Sequence, residues 1–317
     1  MSSNQTASAR DVQHGLLLMS LAMLILPGID AITKYLSDSL SSGEIAWSRF
    51  LFQTLFLLPV VLRGGGLRVG RRLWIHGARG TLIAAATLMF FTSLGSLPLA
   101  DAISIFFVGP FILTLLSAVF LGERVGWRRL LAVAVGFAGA LIVIRPSYET
   151  FGLTALLPAG AATAYSCYMV LTRRLVRDDS IAIMQFYTGV FGGLTLSIAL
   201  WFGAATGIEI LTPTWPTATE WLWLAALGVI AAVGHWMIVI AVHRVGASMV
   251  APLQYLEIVG ATILGLVFFG DFPDGVTWLG VAIIIGSGLY VFYRERKLSL
   301  AADAGLVSAT KPNAPLI

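Results

Sequence analysis

A glutamate lies within one of the most apolar stretches of the sequence. Glu257 follows Gln254 by three residues, with Tyr255 between them, so a helix would place the carboxylate and the amide on one face. A carboxylate in apolar surroundings needs a partner, a cavity or water. Glu257 is therefore a candidate to bind a cationic group of a ligand or to take up a proton. The alternative is a protonated or hydrogen-bonded side chain that holds two helices together.

Further charged side chains fall inside apolar stretches nearer the N-terminus. Asp30 and Lys34 are four residues apart, a spacing that predicts an ion pair within one helix and leaves Asp30 as a second candidate acid for ligand binding. Arg49 lies near one end of its stretch and is a candidate for ligand contact, for pairing with Asp30, or for extension to the interface. Arg79 lies about one turn from the end of the next stretch, which predicts an anchor whose long stem reaches the interface.

Aromatic and amphipathic side chains add a possible ligand platform. Tyr165 and Tyr168 are three residues apart, and His235 and Trp236 lie in the middle of a later apolar stretch. Such groups stack on a planar ligand or bind a cation through the ring face. Tyrosine and tryptophan also form hydrogen bonds between helices or lie at membrane interfaces. His235 is a candidate proton carrier, or a neutral histidine bonded across the bundle.

The composition predicts that lipid solvates much of the surface. The chain has 317 residues, of which 58% are hydrophobic and 11% are charged, and its mean hydropathy is +0.88. Too few polar side chains remain to cover a soluble globule of this size. The net charge of +4 comes from Lys and Arg placed between apolar runs, so it does not indicate a nucleic-acid partner.

Motifs of common enzyme and cofactor sites are absent from the sequence. It contains no phosphate loop, no dinucleotide-binding glycine pattern, no H-E-x-x-H and no Gly-x-Ser-x-Gly. The single cysteine, Cys167, excludes an internal disulfide framework and any multi-cysteine metal or redox centre. We therefore expect no cofactor, no metal site and no ATP hydrolysis by this chain.

Ten apolar stretches approach the length of roughly 20 helical residues that crosses a bilayer. The longest connection, 203–219, contains Pro213, Trp215 and Pro216 and predicts an interfacial loop. The sequence thus predicts an all-α membrane protein with ten transmembrane helices. The predicted spans are 15–35, 44–62, 74–96, 101–121, 128–145, 152–173, 182–203, 219–242, 247–269 and 275–293.

The distribution of positive charge predicts the orientation of the chain. With ten spans, nearly all Lys and Arg in the tails, the loops and the ends of the spans fall on one side of the membrane, and only Lys34 and Arg145 fall on the other. Positive loops stay in the cytoplasm. We expect a multi-pass protein of the bacterial cytoplasmic (inner) membrane with both tails, 1–14 and 294–317, in the cytoplasm.

The two halves of the chain resemble each other. Residues 100–141 align with 248–289 at a constant offset of 148 without gaps, so that Gly122-Glu123 meets Gly270-Asp271. Each half, 15–145 and 152–293, would hold five helices. Because five is odd, the second half would cross the membrane in the opposite sense, which gives two inverted five-helix repeats with a ligand site between them.

A family resemblance rests on these features. The two five-helix units, the turns Gly122-Glu123 and Gly270-Asp271, and Arg49-Phe50 in the second span are similar to the EamA branch of the drug/metabolite transporter superfamily. Gln185-Phe186 replaces an Arg-Phe pair in the second unit. The resemblance implies a secondary transporter that moves a small organic metabolite by alternating access, such as an amino acid-like, vitamin-like (for example riboflavin) or nucleotide-like compound.

The sequence is also compatible with other functions and partners. A membrane-embedded enzyme that modifies lipid and a non-transporting scaffold are the alternatives. The expected partners are the small-molecule substrate and membrane lipid. The sequence is also compatible with proton coupling and with a homodimer. The predicted substrate-binding or coupling residues are Glu257, Gln254, Tyr255, Tyr165, Tyr168, His235, Trp236, Asp30 and Arg49.

Overall fold

A computed structural model describes residues 9–63, 73–121, 126–175, 181–245 and 251–309. Within these ranges the regular elements are helical, with 3₁₀ segments at Gly152–Leu156, Glu209–Leu211 and Ala251–Tyr255 and a π-helical turn at Gly265–Phe269. The α-helices are α1 (Ala9–Ile25), α2 (Pro27–Leu36), α3 (Ser42–Arg63), α4 (Leu73–Leu94), α5 (Leu99–Phe106), α6 (Gly109–Leu121), α7 (Trp127–Phe151), α8 (Leu157–Leu175), α9 (Ile181–Thr206), α10 (Ala218–Val245), α11 (Leu256–Leu264) and α12 (Gly275–Ala309).

The helices are those of an all-α membrane protein. Eight segments of the described chain are long and apolar enough to cross a bilayer. Two shorter apolar helical stretches, Leu130–Arg145 and Gly275–Val291, correspond to the predicted fifth and tenth spans. Large apolar side chains such as Trp201 and Leu222 are more than 70% exposed on the outer surface, as expected where lipid replaces water.

Three of the spans are interrupted, and a proline lies at or beside each interruption. The first span divides into α1 and α2 at Leu26, directly before Pro27. The fourth divides into α5 and α6, with Pro110 in the first turn of α6, and the ninth begins as a 3₁₀ segment that contains Pro252. Proline lacks the N–H that continues a helical ladder, so these interruptions follow from local sequence.

The two halves of the chain pack against each other along a seam. Phe107 and Tyr255 are equivalent at the offset of 148, and their rings lie in contact with centroids 5.1 Å apart. Along the same seam α7 packs against α12, where a Cβ added at Gly139 or Gly280 would collide with the carbonyl oxygen of the other glycine. Glycine permits this close backbone approach.

The predicted interfacial loop is shorter than expected. Helix α9 continues to Thr206 and ends at Gly207, whose φ of +72° is a conformation that glycine adopts without strain. Glu44 of α3 then fixes the loop, because its carboxylate accepts hydrogen bonds from the backbone N–H of Thr214 at 3.0 Å and from the Thr214 hydroxyl at 3.2 Å. Trp215 remains 88% exposed, which suits an interfacial position.

Candidate functional site

Four helices bring charged and aromatic side chains together between the two halves of the chain. Asp30 from α2 interacts electrostatically with Glu257 from α11 and with Arg49 from α3. Tyr165 from α8 interacts with the same Glu257 and Arg49 and with Tyr168, one turn further along α8. We call Asp30, Arg49, Tyr165, Tyr168 and Glu257 the central cluster.

The two acids of the central cluster are not neutralised by hydrogen bonds. Among the described residues, no donor lies within hydrogen-bond distance of the carboxylate of Asp30 or Glu257, although Asp30 is only 8% exposed. Arg49 donates to the Thr87 hydroxyl at 2.6 Å and lies over the ring of Phe50 at 5.5 Å. Its guanidinium approaches the acids without a direct ion pair in the described part of the chain. Such carboxylates have acceptor capacity left for a ligand.

An aromatic row extends from the cluster. The rings of Tyr165 and Tyr168 have centroids 5.8 Å apart, and Phe106 of α5 lies 5.7 Å from Tyr165. Phe90 of α4 continues the row at 5.2 Å from Phe106. These tilted rings offer both faces and edges to a planar group next to the acids.

Three other residues of the predicted site do not join the cluster. Gln254 is exposed while Glu257 is half-buried, because the chain changes from 3₁₀ to α-helix between them. Trp236 is 68% exposed and lies on the face of α10 opposite Gly234, which packs against Leu26.

Tyr255 instead packs against Phe107. Its hydroxyl is buried without a hydrogen-bond partner in the described chain, next to Gly288. The side chain of His235 lies outside the described residues. The structure therefore places five of the nine predicted residues together.

Comparison with known proteins follows the same division of the chain. Residues 13–145 and 152–293 each match the model of the EamA-like transporter family. The chain belongs to this family. A solved crystal structure that covers 90% of the chain, and is itself covered over 99% of its length, superposes with a TM-score of 0.58 at 21% identity, which shows a shared fold.

Curated relatives of this EamA-like transporter are named for several metabolites. It is 31% identical over 305 residues to the riboflavin transporter of Rhizobium johnstonii, covering 93% of this chain and 97% of that protein. It is 30% identical to the S-adenosylmethionine uptake transporter of Rickettsia bellii, covering 84% and 89%. The pseudopaline exporter of Pseudomonas aeruginosa is 28% identical, covering 86% and 94%. The protein is therefore a multi-pass membrane transporter for a small organic metabolite.

The prediction of an ion pair between Asp30 and Lys34, within the first span of this EamA-like transporter, is wrong. Lys34 donates instead to the carboxylate of Asp271 at 2.5 Å and to the carbonyl of Leu97 at 2.9 Å, and lies over the Phe269 ring at 5.0 Å. Tertiary packing brings the Gly270-Asp271 turn against the end of α2, and this leaves Asp30 for the central cluster. The corresponding first turn, Gly122-Glu123, lies outside the described residues.

The interpretation of Arg79 as an interfacial anchor is also wrong. Its side chain is only 1% exposed, and its Nε donates to the hydroxyl of Thr172 on α8 at 2.9 Å. Sequence reasoning missed this site because the acceptors come from a helix about ninety residues further along the chain. The available signal was the spacing of Tyr165, Tyr168 and Thr172, which places three hydroxyls near one face of α8.

Proposed function

We propose that the central cluster binds the transported metabolite. The observation that carries this proposal is the pair of acids, Asp30 and Glu257, which come from the two halves of the chain, lie close enough to interact electrostatically, and have no hydrogen-bond donor in the described structure. Charges at bilayer depth are expensive unless they face a partner, a cavity or water. A cationic group of a ligand would supply the missing partner.

Charge and shape narrow the substrate. Two carboxylates lie close to one guanidinium in the central cluster, so a ligand with net positive charge fits best. Tyr165, Tyr168 and Phe106 provide surfaces for a planar ring. Of riboflavin and S-adenosylmethionine, two of the compounds named for the relatives above, these features favour S-adenosylmethionine, a cationic compound with a planar base, over riboflavin, which carries no cationic group. A protonated aliphatic amine that carries an aromatic ring would satisfy the same chemistry.

We further propose transport by alternating access between two inverted repeats. Lys34 and Asp271 join the first half to the second, and in the proposed orientation they close the outer side of the site. The interruptions at Leu26 and before Leu256 lie close to Asp30 and Glu257, where broken helices allow the two halves to rock. The orientation has both tails in the cytoplasm and the protein in the bacterial inner membrane. Glu257 is the proposed site of proton exchange if transport is proton-coupled.

Three glycines of α7 and α12 pack against residues of the same chain. Gly139 faces Ile284, Gly136 faces the ring of Phe111, and Gly288 faces Tyr255. Because these three glycines already contact residues of their own chain, we propose no homodimer contact through them.

The test is thermal stabilisation of the purified protein by S-adenosylmethionine and by riboflavin. A ligand at 100 times its dissociation constant adds about 2.7 kcal/mol, a rise of roughly 5 °C for a chain of this size. We expect this rise with S-adenosylmethionine in the wild type, its loss in Glu257→Gln, and its retention in Glu209→Gln, a matched change on an exposed loop.

Each result has a distinct meaning. A rise that survives in Glu257→Gln would remove Glu257 from substrate binding and leave it a role in coupling or structure. A rise with riboflavin alone would contradict the preference for a cationic substrate. No rise with either compound would contradict both substrate assignments.

A further inference from the structure

Arg79 is a buried cation surrounded by uncharged acceptors. It is one of the largest fully buried side chains, at 1% exposed. Its Nε donates to the Thr172 hydroxyl at 2.9 Å and its Nη2 to the Tyr168 hydroxyl at 3.2 Å. The Met184 carbonyl and the Nδ1 of His76 both lie 3.5 Å from Nη1. The guanidinium also lies over the Tyr168 ring, 4.9 Å from its centroid.

The described contacts place no anionic group against Arg79. Among the residues that the structure describes, no Asp or Glu lies within ion-pair distance of this guanidinium. Arginine stays protonated in proteins and has five N–H donors, of which hydroxyls take two at good distance. A buried charge without a counter-ion is strongly destabilising. The planar fork of guanidinium donors matches a carboxylate or phosphate, which could replace the hydroxyls as acceptors.

We propose that Arg79, with the hydroxyls of Tyr168 and Thr172, forms an anion-binding subsite for a carboxylate or phosphate group of the substrate. This inference rests on the proposed function, since it extends the central cluster along α8. Tyr168 belongs to both sites: its ring adjoins Tyr165, and its hydroxyl bonds Arg79. Hydroxyls that now accept from Arg79 would turn to donate to the anion.

The spacing along α8 sets the size of the ligand. Tyr165 and Thr172 are separated by seven residues, or about 10 Å of helix axis. A metabolite with a cationic group at Asp30 and Glu257 and an anionic group at Arg79 would therefore carry its charges on the order of 10 Å apart. A shorter zwitterion would occupy the two sites in turn as it crosses the membrane.

The experiment uses succinate as the probe on purified full-length protein in detergent. Melting temperature is followed in sodium succinate and in sodium chloride at equal ionic strength, so that general screening is the same in both. We expect succinate to raise the melting temperature of the wild type by several degrees above chloride. Arg79→Gln should lose this difference, and Arg63→Gln, which removes an exposed charge at the end of α3, should keep it.

An equal response of Arg79→Gln and wild type, or no succinate effect in the wild type, would overturn the subsite. If Arg79→Gln does not fold, Arg79→Lys replaces it. Lysine keeps the charge but lacks the planar fork of donors, so the succinate concentration that gives half of the maximal rise in melting temperature should increase several-fold. An unchanged half-maximal succinate concentration in Arg79→Lys would overturn the proposal as well. Glu257→Gln should retain the succinate response, so a failure of the central site and a failure of the Arg79 subsite give different results.

Discussion

Breaking the ion pair between Lys34 and Asp271 should open the outer side of the central cluster. Their side chains are 16% and 28% exposed, so the pair is intermediate between an exposed and a buried ion pair. Exposed pairs contribute up to about 1 kcal/mol, whereas breaking a buried pair costs about 3–5 kcal/mol. For this partly exposed pair we take about 1–2 kcal/mol, which shifts a two-state equilibrium roughly 5- to 30-fold. Lys34→Gln should raise the ratio of outward-open to closed protein by that factor.

The assay is labelling by a membrane-impermeant thiol reagent. Thr87→Cys places a thiol beside Arg49, in a background where Cys167, the single native cysteine, is replaced by serine. We expect labelling from outside to accelerate 5- to 30-fold on adding Lys34→Gln, following the shift of about 1–2 kcal/mol. The charge exchange Lys34→Asp with Asp271→Lys should bring the rate back towards that of the parent.

The matched control is Arg145→Gln. Arg145 pairs with Glu149, but the two side chains are 82% and 69% exposed, so this pair contributes little and the labelling rate should stay unchanged. Equal labelling rates in Lys34→Gln and its parent would refute the assignment of the Lys34–Asp271 pair to outer closure. Faster labelling in the charge exchange than in the single variant would refute it too.

Three further changes test the packing. Tyr255→Phe should leave the melting temperature unchanged or raise it, because the hydroxyl is buried without a partner in the described chain, at a cost of about 1–3 kcal/mol; a clear fall would contradict this. Gly139→Val should lower it sharply by separating α7 from α12, whereas Gly286→Val, with open space at its Cβ, should not; equal losses would contradict the packing. The carboxylate of Asp274 caps α12 by accepting a hydrogen bond from the N–H of Thr277 at 2.6 Å, and this bond lowers the pKa of Asp274. The cap therefore stabilises the fold fully at neutral pH, and this stabilisation is lost as the pH falls through the lowered pKa. Urea unfolding of Asp274→Asn at several pH values should show the loss of this acid-dependent part of the stability, and a pH profile equal to that of the wild type would contradict the cap.

The sequence alone determined that this protein lies in a lipid bilayer and that it is built of helices. A bilayer accepts only long apolar helices whose backbone groups are satisfied internally, so hydropathy alone locates the spans. Asp30 and Glu257 were recognisable for the same reason: a carboxylate inside an apolar run costs too much to be accidental. The offset of 148 between the halves was also visible in the sequence, but the contact between its equivalent residues Phe107 and Tyr255 appears only in the structure.

Tertiary structure decided which charged groups meet. Lys34 had an acid four residues away in sequence, yet it bonds Asp271, 237 residues distant. Arg79 lies close enough to a helix end to reach the interface, yet its acceptors on Tyr168 and Thr172 hold it inside the protein. Local spacing gives the set of reachable partners, and only the packing of helices selects among them.

Tertiary structure also decided which face of each apolar helix meets protein and which meets lipid. Helix α10 is apolar on all sides, so its sequence gave no reason to place Trp236 outside and Gly234 inside. Lipid tails are as apolar as leucine, and hydrophobicity therefore does not separate the two faces. Shape does: Gly234 admits the side chain of Leu26, and that contact turns Trp236 away from the central cluster.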